Sequence, residues 1–262
     1  MAVRRGMKAA LLACTVLGLS ACGGGDTSID PAMFDSEVQR LADSGDMYGE
    51  VFLALKTRRP ALYNDFRRIA QREFNSGRSA RDASRVAGLR MRDKFLNEIL
   101  ELSKVASDEA VDEMIDVMIE TYQHLGEKNP NDCSRNIEGL PPEKVEDLPR
   151  ELRQRETELV IKLLSSPQTA ANRRAASRKE VTNWMVNLSQ LEPSVGRMLE
   201  LINKEGRSKA ENKDLCDGMI VTYKRLSYKK SQERGILFRG IALMALQERL
   251  RIRNTTEVEE TS

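Results

Sequence analysis

The chain has 262 residues, with 42 Lys and Arg against 40 Asp and Glu, one His and four Cys. Charged residues make up 31% of it and aromatic residues only 5%. That composition argues against strand-rich barrels and sandwiches, which draw on aromatic and β-branched side chains. A formal charge of +2 offers no basic excess for a nucleic-acid partner.

Arg4, Arg5 and Lys8 form a short positive region with no acidic residue before Asp26, and a mostly apolar run from Ala9 to Ala21 follows. The run is too short to span a bilayer and has the charge and length of a secretory signal. Leu19-Ser20-Ala21-Cys22 resembles the lipobox of bacterial lipoproteins. That resemblance implies cleavage before Cys22, acylation of the cysteine, and a residue 1–21 signal peptide. Gly23 stands where inner-membrane lipoproteins of the common sorting rule carry Asp, so the resemblance implies the periplasmic face of the outer membrane. An ordinary secretory signal with a chance cysteine is the alternative. Residues 22–30, with Gly23, Gly24 and Gly25, read as a flexible tether. Removing residues 1–21 takes away three basic groups and leaves 39 against 40 acidic ones, so the apparent basicity belongs to the leader.

From residue 31 to 252 the periodicity is helical, and an all-α domain of about nine helices is expected. Asp30-Pro31 reads as N-cap and first helical position of a helix through Ala42. Met47–Leu55 continues the pattern. Pro60 opens a helix with Leu62, Phe66, Ile69, Ala70 and Phe74 on one stripe, stopped by Asn75-Ser76-Gly77. Ser79–Leu102 is amphipathic, with Val86, Leu89, Phe95, Leu96, Ile99 and Leu100 as expected core. Ser107 caps a helix that Gly126 should end. Residues 126–142, rich in Gly, Pro and Asn, read as an irregular divider between two halves, 31–125 and 143–252.

Further helices are expected near 150–164, 169–188 and 194–204, and Ser208 with Glu211 forms a capping box for a helix to Tyr228. The last helix, 232–252, holds an apolar run interrupted by Arg239 and Gly240, which suits a buried helix rather than a membrane span. The tail 253–262 is polar and expected to fray.

Cys14 leaves with the leader and Cys22 takes lipid, so Cys133 and Cys216 remain as an even pair in an oxidising compartment. A disulfide between them is expected, worth about 4–5 kcal/mol in the chain-entropy model; two separate buried thiols are the alternative. DVMIETYQHL (116–125) and DGMIVTYKRL (217–226) match at six places, and ILEL (99–102) resembles MLEL (198–201) upstream. A duplicated helical hairpin, its halves joined by the cysteine pair, explains both matches; chance similarity is the other explanation. The shared Met, Ile, Tyr and Leu fall on one helix face, so Tyr122 and Tyr223 read as core, a ligand role being the alternative.

No constellation for chemistry stands out. His124 is the single histidine, which leaves a triad or zinc site little to draw on. Ser227-Tyr228-Lys229-Lys230 matches S-x-x-K without the accompanying S-D-N or K-T-G. No metal, cofactor or catalytic residue is expected. The charges are organised instead: Glu109, Asp112, Glu113, Asp116 and Glu120 share one helix face, and Arg78, Arg81, Arg85 and Arg92 form a basic stripe on the preceding helix. Solvated faces, paired with each other across a helical hairpin, are one reading of these stripes; a protein-binding patch is the other.

The expected function is therefore binding, in a protein tied to the membrane by lipid. Helical lipoproteins of this size include immunity proteins of antibacterial secretion systems. That class resemblance implies a protein partner, a secreted cell-wall-degrading hydrolase, occluded at its active site, with the acidic face Glu109–Glu120 meeting its cationic surface. A scaffold of an envelope complex, or an unfamiliar peptidoglycan-acting enzyme, are the alternatives.

Overall fold

A computed structural model describes residues 30–139, 148–165 and 173–259. The signal peptide, Cys22 and the glycine tether lie outside the described residues. The fold is all-α, with eleven helices and no strand among the described residues. The helices are α1 Pro31–Asp43, α2 Met47–Arg58, α3 Pro60–Phe74, α4 Ala80–Ser103, α5 Asp108–Lys128, α6 Pro130–Ile137, α7 Arg150–Leu164, α8 Arg178–Leu191, α9 Pro193–Leu201, α10 Lys209–Ser227 and α11 Ser231–Glu259. None of the described helices is long and apolar enough to cross a membrane.

Local chemistry sets most boundaries as expected. Asp30 accepts the Met33 amide at 2.8 Å and caps α1 ahead of Pro31. Ser107 caps α5. Ser208 and Glu211 close the expected capping box at α10, and Ser177 and Glu180 form a second one at α8. That second box starts α8 at Arg178, later than the residue 169 expected from periodicity.

Other boundaries also differ from the sequence reading. Gly126 does not end α5, which runs on to Lys128. Asn129 then caps α6, with Pro130 at its first position, inside the stretch read as irregular. The polar tail stays helical to Glu259, since no Gly or Pro interrupts it.

Two compact units divide the described residues: unit 1 holds residues 30–96 and Glu156–Ser165, unit 2 holds Asn97–Arg155 and 173–259. These are not the halves 31–125 and 143–252, because the chain passes from one unit to the other within α4 and within α7.

Unit 1 is built on aromatic contacts. Phe34 lies edge-on to Phe52 and Tyr63, with centroids 6.1 and 5.7 Å apart, and Phe52 meets Phe66 at 5.8 Å. Such pairs add about 1 kcal/mol each beyond burial. Tyr63 donates to Asp35 Oδ1 at 2.8 Å, which satisfies the hydroxyl of a ring buried to 2% exposure. Burial first, then that bond, hold the Tyr63 hydroxyl protonated well above the ordinary phenol range. On α4 the buried stripe is Ala83, Ala87 and Met91. The larger Val86, Leu89, Phe95, Leu96, Ile99 and Leu100, expected as core, are only partly buried. The small side chains of Ala83 and Ala87, at i and i+4, permit close packing there, with Met91 at i+8 on the same face.

In unit 2, Leu188, Val195, Met198, Leu201 and Leu215 form a core cluster joining α8, α9 and α10. Cys133 of α6 and Cys216 of α10 lie at disulfide distance, with Cα atoms 5.9 Å apart and both residues fully buried. The pair lies within unit 2, where it staples α6, which directly follows the first similar segment, to α10, which carries the second. Gly126 has its reason here, since a Cβ on it would come within 2.9 Å of the Cys216 Sγ. Arg207 reinforces the join, donating to Ser134 Oγ at 3.2 Å, to Glu138, and to the Leu201 carbonyl at 3.1 Å.

The two similar segments pack on each other. Tyr122 and Tyr223 are both buried, with ring centroids 6.0 Å apart, and Tyr223 meets Phe238 at 6.4 Å. Thr121 and Thr222, and Leu125 and Leu226, are likewise buried in matching places. Ser107 and Ser208 cap the two helices at the same distance from the matched segments.

Arg239 is the largest fully buried side chain. Its guanidinium donates to the Ala106 carbonyl at 2.8 Å and to Asp108 Oδ1, and reaches toward the Arg174 carbonyl at 3.5 Å. Gly235 leaves room for this, because a Cβ there would sit 2.4 Å from Asp108 Oδ1. The loop before α8 is bound on both sides: the Arg173 amide donates to Lys104 O at 3.1 Å, and the Ala176 amide to Ile236 O at 2.8 Å.

Two outcomes are expected. Arg239→Leu leaves Asp108 and a buried carbonyl without their cation and lowers stability by about 3 kcal/mol in urea unfolding; Arg239→Lys recovers less than half, since one ammonium cannot span both acceptors. At α10, the Lys204 ammonium first, then the Ser208 amide, pull the Glu211 carboxyl down to about 2 from its ordinary 4.5. Its stabilising effect is complete above 4.5 and is lost as pH falls through about 2. Glu211→Gln should therefore melt earlier than the parent at neutral pH, and the gap should close across that acidic window.

Candidate functional site

The acidic face of α5 is largely engaged within unit 2. Asp112 accepts from Ser231 Oγ at 2.7 Å and lies 3.0 Å from Arg234 Nε, an ion pair without hydrogen-bond alignment. Glu120 accepts from Arg155 of α7. That bond, followed by the charges of Asp116 and Glu113, raises the affinity of Arg155 for its proton. Glu109 and Asp116 are exposed, and Glu113 is half-buried. The structure thus brings the five expected residues onto one surface while using Asp112 and Glu120 to hold α11 and α7. The basic stripe follows a different course: Arg78 pairs with Glu73 inside unit 1.

A second surface, which periodicity did not single out, lies on α8, α10 and α11. A cleft of about 400 Å³ is lined by Arg174, Glu180, Trp184, Gln232, Glu233 and Ile236, among others. Trp184 also packs against the unit 2 core cluster, so its ring is anchored while one side faces the cleft. Two turns along α8, Leu191 is 78% exposed. The next residue, Glu192, accepts from both Arg225 Nε, at 2.8 Å, and Arg225 Nη2. The same guanidinium lies 6.0 Å over the ring of Tyr228, itself 75% exposed. Leu191, next to Glu192 in the chain, and Tyr228, against the Arg225 guanidinium, are thus both exposed near the Glu192–Arg225 ion pair. Arg, Tyr and Trp are the residues that dominate protein interfaces.

The single Trp of the chain and a Leu directly before Glu-Pro were visible in the sequence. Their exposure was not, because it depends on how α8 packs on α9 and α11. Among the described residues, no group of three or more His, Cys, Asp or Glu is placed to hold a metal ion.

Substitution separates the engaged and the open parts of the acidic face. Asp112→Lys should lower the melting temperature by several degrees, since it sets a cation beside Arg234. Asp116→Lys, on an exposed site, should leave the melting curve within about 0.5 kcal/mol of the parent. No protein-family model matches the chain, and no curated protein or solved structure is significantly similar to it.

Proposed function

We propose that this protein is a lipid-anchored binding protein on the periplasmic face of the outer membrane, and that it serves as an immunity protein, occluding the active site of a toxic cell-wall-degrading enzyme. The observation that carries the binding role is the exposure of Leu191 and Tyr228 near the Glu192–Arg225 ion pair, together with the Trp184 cleft. An exposed aromatic ring already resting against a guanidinium, as Tyr228 is, loses little further conformational freedom when it binds a partner. The compartment rests on Leu19-Ser20-Ala21-Cys22, and the buried Cys133–Cys216 pair is consistent with an oxidising space. Inhibition is steric: Leu191 and Tyr228 enter the substrate groove, while exposed acidic groups such as Glu109 and Asp116 face a cationic rim.

Cells given labelled palmitate should label the parent and not Cys22→Ala. The purified protein should stop wall digestion by the hydrolase encoded beside it at one-to-one stoichiometry. Leu191→Ala and Tyr228→Ala should each weaken that complex by about 2 kcal/mol, roughly thirtyfold, in calorimetry, and Asp116→Lys by less. Digestion of peptidoglycan by the protein itself, or full hydrolase activity in its presence, would discard the proposal.

A further inference from the structure

Glu73, at the end of α3, is 2% exposed, yet three arginines converge on it. Arg72 Nε donates to its Oε1 at 2.9 Å, Arg90 Nη1 to the same oxygen, and Arg78 Nη1 to Oε2. One carboxylate thus gathers three guanidiniums that would otherwise repel each other, and the cluster keeps a net charge of two. Each arginine side chain stays open to solvent, at 61%, 47% and 48% exposure for Arg72, Arg78 and Arg90. A guanidinium has five N–H donors, so the cluster keeps donors for an outside acceptor. The surroundings add to the field: from Arg58 to Lys94 the sequence holds eleven basic residues against four acidic ones. Of those four, Asp65 is already shared by Arg68 and Lys94.

We propose that Arg72, Arg78 and Arg90, organised by Glu73, form a binding site for the phosphate of an anionic phospholipid headgroup. Forked guanidiniums match the tetrahedral oxygens of a phosphate better than ammonium groups do. The lipid source follows from reach, and this step rests on the lipid anchor proposed above. Residues 22–30 span at most about 30 Å when fully extended, so α1, in the same unit as the cluster, begins within that distance of the membrane. Headgroups are then held at high effective concentration beside the site. The anchor alone leaves the domain free to turn, whereas a headgroup held at Glu73 orients unit 1 against the surface.

The experiment uses the processed chain, residues 22–262, with Cys22→Ser, so that no acyl chain contributes. It is sedimented with vesicles of phosphatidylcholine alone, or of phosphatidylcholine mixed with phosphatidylglycerol. The expected result is salt-sensitive binding to the mixed vesicles only. Two variants that each remove one unit of net positive charge then separate a built site from diffuse attraction. Glu73→Gln/Arg78→Gln/Arg90→Gln should weaken binding about tenfold, and Arg68→Gln less than twofold. If the triple variant fails to fold by circular dichroism, Arg72→Gln, which leaves two guanidiniums on Glu73, takes its place against Arg68→Gln. Equal losses in the compared variants, or equal binding to phosphatidylcholine, would overturn the site. Binding of inorganic phosphate in calorimetry, lost in the triple variant, with no binding to the mixed vesicles would reassign the site to free phosphate. Because the chain is acyl-free, loss of palmitate labelling with intact vesicle binding removes the anchor alone, and the reverse removes this site alone.

Discussion

Unit 2 depends on one buried guanidinium. Arg239 stands in the middle of the apolar run of α11, where a charge is costly to desolvate unless acceptors surround it. The chain supplies them at the start of α5: the Ala106 carbonyl just before it and Asp108 at its first position. Meeting that requirement sets the position of α11 along α5. Ser231 and Arg234, earlier on the same helix, then fall beside Asp112, and Ile236 and Leu237 become one wall of the Trp184 cleft. The residue that interrupts a hydrophobic run is thus the one that positions the helix.

The same logic separates the two charged stripes visible in the sequence. Acidic residues on α5 sit within reach of Arg155, Arg234 and Arg239, so much of that face is neutralised inside unit 2. In unit 1 the proportions are reversed. Three arginines meet a single buried carboxylate, and an excess of positive charge stays at the surface. Counting charges along the chain finds both stripes; only their partners in space tell which one retains a field.

Much of the fold was legible because its signals are local. Asp30-Pro31, Ser107, and Ser208 with Glu211 act within one helical turn, and the structure keeps all of them. The pairing of Cys133 with Cys216 also followed from counting what remained once Cys14 and Cys22 were set aside. Gly126 misled because glycine serves both as a helix stop and as space for a close neighbour, and here the neighbour is a sulfur from a helix far along the chain. On α4 periodicity points to the larger apolar residues as core, whereas Ala83 and Ala87 are fully covered.

The sequence by itself determined the helical class, the caps, the cysteine pair and the alignment of charges on each helix face, since each rests on periodicity, on contacts within a turn or on residue counting. Only the tertiary structure decided that Arg239 is a core residue, that the cysteine pair lies within one unit, and that Leu191 and Tyr228 stand exposed beside Arg225. Those outcomes turn on which helices meet, and such contacts join residues tens of positions apart with no local pattern to announce them.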